Sequence, residues 1–114
     1  ISARILVEHG LYEDSISRSY CAVLHAARAA LLVHNIKTHS HPAVIRNFGK
    51  YLVTSGEIEK EWAFILSREN SFRSNADYAE QFEADHELAR QLLQDADNFV
   101  TRMTTFLLSN GINL

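Results

Sequence analysis

Paired cysteines, a basic excess and long apolar runs are all missing from this sequence, and each absence removes a class of protein. The lone cysteine, Cys21, cannot close an internal disulfide. The fold must therefore rest on its core, and a reducing, cytoplasmic compartment is expected. No stretch approaches the roughly 20 consecutive apolar residues that a membrane helix needs. No secretory leader is visible, and the chain opens on Ile1, so its native start is expected to lie upstream. The single proline, Pro42, leaves long segments free to run as helix. Acids outnumber bases 14 to 11, for a net charge of -3. Proteins that bind nucleic acid usually carry a basic excess, because neutralised phosphates drive that binding. Any RNA contact here would depend on a local patch, and Arg68 with Arg73 is the obvious candidate. The same two arginines read equally well as cations on a solvated helix end.

What remains is ordinary globular composition, with 46% hydrophobic and 22% charged residues in 114. That length suits one domain, taken as residues 1–114. Internal repeats and linkers rich in Gly, Pro or Ser are absent. Apolar residues recur at helical spacing instead. Ile1 to His9 suits the end of a helix stopped by Gly10. Tyr12, Ile16, Tyr20, Val23, Ala27 and Leu31 form a long stripe. Asn35–Ser40 is polar and reads as a loop, and Pro42 suits the first turn of the helix that follows. Val44, Phe48 and Leu52 make the next stripe, ending near Ser55-Gly56. Ile58, Trp62, Ile65 and Leu66 continue towards Arg73. Leu88, Leu92, Ala96, Phe99, Met103 and Phe106 mark the buried face of the last helix, with Gly111 beyond its end. Nothing alternates with period two. The expected fold is therefore all-α, an up-and-down bundle of about five helices.

Several side chains invite chemistry. His25 shares a stripe with Cys21, Arg28 and Leu32. It could line a ligand groove, or be a hydrogen-bonded histidine at the edge of the core. Cys21 could be a nucleophile, or a small buried thiol. His34, His39 and His41 cluster near one loop, but no Cys pair or acidic ligand stands at regular spacing with them, so no metal and no cofactor is expected. Arg73, Asp77 and Tyr78 could line a cleft, with Asp77 and Glu80 alternatively forming a helix cap.

The stretch Ser19-Tyr20-Cys21-Ala22-Val23-Leu24-His25-Ala26-Ala27-Arg28-Ala29-Ala30-Leu31-Leu32 resembles the second helix of HEPN-domain proteins, whose usual form is close to SYYAxFHAARALL. Lys37-Thr38-His39-Ser40 is similar to the KTHS stretch that follows in that family. Ile45-Arg46-Asn47-Phe48-Gly49-Lys50, Gly56-Glu57-Ile58 and Arg73-Ser74-Asn75-Ala76-Asp77-Tyr78 match later family segments in order. His41-Pro42 departs from it, since relatives tend to read glycine directly after KTHS.

The resemblance, to the small prokaryotic stand-alone type, implies a helical bundle that forms a homodimer. It also implies a minimal nucleotidyltransferase as protein partner, either in a toxin–antitoxin pair or with this chain as a nucleotide- or substrate-binding subunit. Tyr20, His25, Arg28, Arg73, Asp77 and Tyr78 are then the expected ligand- or partner-binding residues. Some family members are metal-independent ribonucleases, in which an Arg-x4-6-His motif near the start of the penultimate or last helix meets its copy at the dimer interface. No His follows Arg68 or Arg73 at that spacing. The motif spacing recurs at Arg4 with His9, Arg18 with His25 and Arg28 with His34, all early in the chain and read here as chance. An Asp in place of the His would be an anion at neutral pH and would repel phosphate. An enzyme is therefore not the favoured expectation. Two alternatives remain: a ribonuclease toxin with an atypical Arg68, Arg73, Asp77 and Tyr78 site, and a non-catalytic scaffold.

Overall fold

Helix α1, Tyr12–Leu32, organises the chain, because its stripe of Ile16, Tyr20, Val23, Ala27 and Leu31 is wholly buried and needs cover along its full length. A computed structural model describes residues 12–78 and 86–112, with side chains described for 15–71 and 87–112. Among the described residues every regular element is helical. After α1 come α2 (His41–Asn47), a π-helical turn (Phe48–Val53), α3 (Lys60–Tyr78) and α4 (His86–Ser109). The segment Ile1 to His9, expected to be helical, lies outside the described residues. No helix among the described residues is long and apolar enough to cross a membrane.

The ends of these helices follow from local chemistry. Asn35 stops α1 in the left-handed region at φ 60°. The Ile36 amide then donates to the Leu31 carbonyl at 3.2 Å, and the Asn35 amide to Leu32 at 2.9 Å. Gly111 closes α4 in the same way at φ 81°, with the Ile112 amide donating to Leu107 at 3.1 Å. Ser40 caps α2 as its hydroxyl accepts from the Ala43 amide at 3.2 Å, and Pro42 occupies the first turn.

The stripe Val44, Phe48 and Leu52 is split between α2 and the π-helical turn, where the sequence pattern suggests one continuous helix. Residues four apart drift by roughly 40° per step on a regular α-helix. A π turn, whose bonds run from i to i+5, holds more residues and removes much of that drift. The Thr54 amide accordingly reaches Gly49 at 3.0 Å, and all three apolar side chains stay buried.

α3 and α4 both pack along α1. They run antiparallel, since Glu59 meets Arg102 near one end, Trp62 meets Phe99 further along, and Arg68 meets Asp95 beyond that. Phe99 is the centre of the aromatic packing, with Phe48 at 5.6 Å and Trp62 edge-on at 6.2 Å between ring centroids. Ala89, rather than Leu88, takes the inward position in the first turns of α4. At one end of the bundle the Arg102 guanidinium and the Trp62 indole donate to Glu59 and hold its carboxyl down to about 2.

Truncating Phe99 to Ala removes the ring that joins the π turn, α3 and α4. The expected loss is about 3–5 kcal/mol in urea unfolding; a loss below about 1 kcal/mol would mean that the ring is not buried as described.

Candidate functional site

Among the described residues the buried polar side chains are Ser15 and Ser19 on α1 and Glu69 on α3. Glu69 stands one turn beyond Leu66 on the inward stripe of α3 and is 1% exposed. Among the described residues neither of its carboxylate oxygens has a hydrogen-bond partner. Burial pushes the carboxyl up to about 8, the nearby Asp95 adds to that rise, and Arg68 opposes it. Arg68 does not relieve Glu69, because its guanidinium is bound to Asp95 at 3.2 Å. The charge of Arg68 is therefore already partly offset, which weakens the basic patch suggested for Arg68 with Arg73. The Ser19 hydroxyl on α1 is also buried with no hydrogen-bond partner among the described residues.

Arg73 and Asp77 follow Glu69 on α3 at steps of four, which places these positions on nearly the same helical face, about 40° apart per step. Tyr78 is the last residue of α3. The side chains of Arg73, Asp77 and Tyr78 lie outside the described residues, as does Glu80. The suggested Asp77 cap does not hold, because α3 runs through Asp77 to Tyr78 and a capping residue requires non-helical backbone.

The α1 candidates divide between two faces. Tyr20 is buried, with its ring edge-on to His41 at 5.7 Å. His25 is exposed, not at the core edge, and Cys21 is exposed too, so the expectation of a buried thiol fails. Both stand on the side of α1 left uncovered by α3 and α4. Arg28 is half-buried and donates to the Thr38 carbonyl at 2.8 Å, tying the loop after α1 back onto the helix. His34 bonds the Glu57 carboxylate at 2.8 Å. Arg28 and His34 thus serve different partners.

The loop histidines also diverge. His34 pairs with Glu57, His39 faces a surface groove, and His41 lies against Tyr20. Among the described residues no group of three or more His, Cys, Asp or Glu side chains is placed to hold a metal.

A family model described as the HEPN domain matches residues 1–105. The chain belongs to the HEPN family. A Methanocaldococcus jannaschii protein named Putative toxin MJ0605 is 36% identical over 102 residues, which is 90% of this chain and 75% of that protein. A second protein of that organism, Putative toxin MJ0142, is 27% identical over 101 residues, covering 89% of this chain and 69% of the relative. A UPF0332 protein of Pyrococcus horikoshii is 46% identical over 70 residues, or 61% of this chain, but the match spans only 49% of that relative.

Seen as a HEPN domain, the chain has an arginine on its penultimate described helix but not the expected histidine. Arg73 also stands in the last two turns of α3, not at the start of a helix. Glu69 was not picked out from the sequence. Its signal was a carboxylate three and four residues beyond Leu66 and Ile65, where the stripe requires an apolar side chain.

Glu69 makes stability pH-dependent. Between its ordinary 4.5 and its native value of about 8 the folded protein holds a proton that the unfolded chain has lost. Stability should therefore fall as pH rises through that window and level off above it. Glu69→Gln should flatten this slope and make the protein more stable than wild type at the alkaline end, by an amount of order 1 kcal/mol or more. Thermal melts that keep the same slope in the variant would show that Glu69 is not the group responsible.

Proposed function

We propose that this HEPN domain is a component of a toxin–antitoxin pair and works by binding a protein partner of the minimal nucleotidyltransferase type. The observation that carries this reading is the incomplete motif on α3. Arg73 is present, and Tyr78, Ala79 and Glu80 occupy the positions where a ribonuclease of this family carries its histidine. A histidine can move protons near neutral pH, whereas a tyrosine and a glutamate ordinarily titrate far from it and an alanine does not titrate at all. The toxin names of relatives that match most of the chain support the pairing. The resemblance set out above supplies the class of partner. Arg73, Asp77 and Tyr78, at the end of α3, are the residues we assign to partner binding.

Self-association fits a different face of α3, since Phe64 stands about 180° around the helix from Arg73. Phe64 on α3 is 68% exposed, one turn before Arg68, and a large exposed ring on the outward face of a helix favours burial against a second copy.

Purified protein should leave RNA intact; cleavage that disappears in Arg73→Ala would replace this reading with the ribonuclease one. The product of a neighbouring nucleotidyltransferase gene should co-purify with the wild type and be weakened by Arg73→Ala, with the melting temperature nearly unchanged. A drop of many degrees would instead make Arg73 a structural residue. In sedimentation the protein should run as a dimer at micromolar concentration and Phe64→Asp as a monomer; a wild-type monomer would contradict the self-association.

A further inference from the structure

Beside the end of α1 lies a groove of about 250 Å³ lined by Arg28, Leu32, Ile36, Lys37, Thr38 and His39. Three features of it point to the same kind of occupant. First, its apolar surface is Leu32 and Ile36, and Leu32 is 54% exposed although it is a large aliphatic residue. Second, its charges are all of one sign: Arg28 and Lys37 line it, and no acid does. That local excess stands out in a chain of net charge -3. Third, one wall, residues 36–39, is chain outside any helix. The His41 ring lies against Tyr20, so the residues after Asn35 must travel back along most of α1. Six peptide steps reach at most ~20 Å, which favours an open rather than a coiled path. Among the described residues the amides of Lys37, Thr38 and His39 donate no hydrogen bond, while the Thr38 carbonyl accepts from Arg28. The wall therefore offers backbone donors with one of its acceptors already occupied.

We propose that this groove binds an acidic, extended segment of the protein partner. The segment's carbonyls accept from the free amides of Lys37 and His39, which share one edge of an extended chain while Thr38 turns to Arg28, as in strand addition to an exposed edge. One aliphatic side chain of the segment rests on Leu32 and Ile36, and its carboxylates meet Arg28 and Lys37. A nucleobase would need a broad, flat aromatic platform, and among the described residues that line the groove only His39 carries a ring, with no Phe, Tyr or Trp beside it. The proposal rests on the reading that the domain acts against a protein partner, and adds the surface and the chemistry of the contact. It places a binding surface on α1 and its loop, apart from Arg73 at the end of α3.

The test is a fluorescence-anisotropy titration of the full chain with a labelled, end-capped peptide of alternating Asp and Leu, against a control of alternating Lys and Leu. The acidic peptide should bind, and the basic one should not. Added salt should weaken binding. Leu32→Asp and Lys37→Glu should each weaken it about tenfold, and Lys37→Arg should restore it. Leu32 and Lys37 are both exposed, so the variants should melt as wild type does. Equal binding of the two peptides, no binding of either, or acidic-peptide binding untouched by both variants overturns the proposal. Displacement of the peptide by adenosine monophosphate or a short oligouridylate at matching concentration does so too, in favour of a nucleotide site. The partner pull-down separates the two claims. Capture of the nucleotidyltransferase unchanged in both variants overturns the groove and leaves the pairing. Acidic-peptide binding by a wild type that captures no such partner overturns the pairing and leaves the groove.

Discussion

The structure depends on hiding one helix face. α1 carries Ile16, Tyr20, Val23, Ala27 and Leu31 at helical spacing, and water is excluded from all five. No single neighbour can cover so long a stripe, so α3 and α4 both lie along it. The short α2 and the π turn fill what is left, with Val44, Phe48 and Leu52 turned inward. Burial of this kind is the main favourable term in folding, and close packing leaves little freedom in how the pieces fit. The opposite side of α1 stays open, which is why Cys21 and His25 face solvent and Leu32 can line a groove.

Against that apolar background Glu69 is an anomaly. A carboxylate inside a bundle is costly unless bonded or neutralised, and Arg68, its neighbour along α3, is bound to Asp95 instead. Glu69 therefore keeps its proton up to about 8. The cost falls on the helix that also carries Arg73, one turn further on. A destabilising side chain next to the residues proposed for partner binding fits a pattern common at functional sites, where stability is given up locally.

Much of the fold was legible because its signals are local. The long stripe of α1, the Ser40 cap, Pro42 in the following turn and Gly111 after the last helix all act within a few residues of themselves. The π turn was not legible. It answers a need of the packed state, that Phe48 and Leu52 remain on one face. The site was harder to read. The family resemblance puts Tyr20 and His25 in one motif, but five residues on an α-helix rotate by about 140°, so Tyr20 turns into the core and His25 to water. From the sequence Cys21 reads as an interior thiol because free cysteines are usually buried; which side α3 and α4 would cover was not written in α1 alone. Glu69 was missed because a charged residue on a helix normally implies a solvated face, and only the position of α4 shows that this one is enclosed.

The account makes α1 the axis on which everything else is assembled, and amide hydrogen exchange in the native protein tests that directly. The amides of Val23 to Leu31 should exchange only through global unfolding, as slowly as the inward-facing turns of α3 and α4, so that the three helices behave as one cooperative unit. Exchange of the α1 amides through a lower-energy local opening, while α3 and α4 remain protected, would show that the other helices hold together without it and would contradict the account.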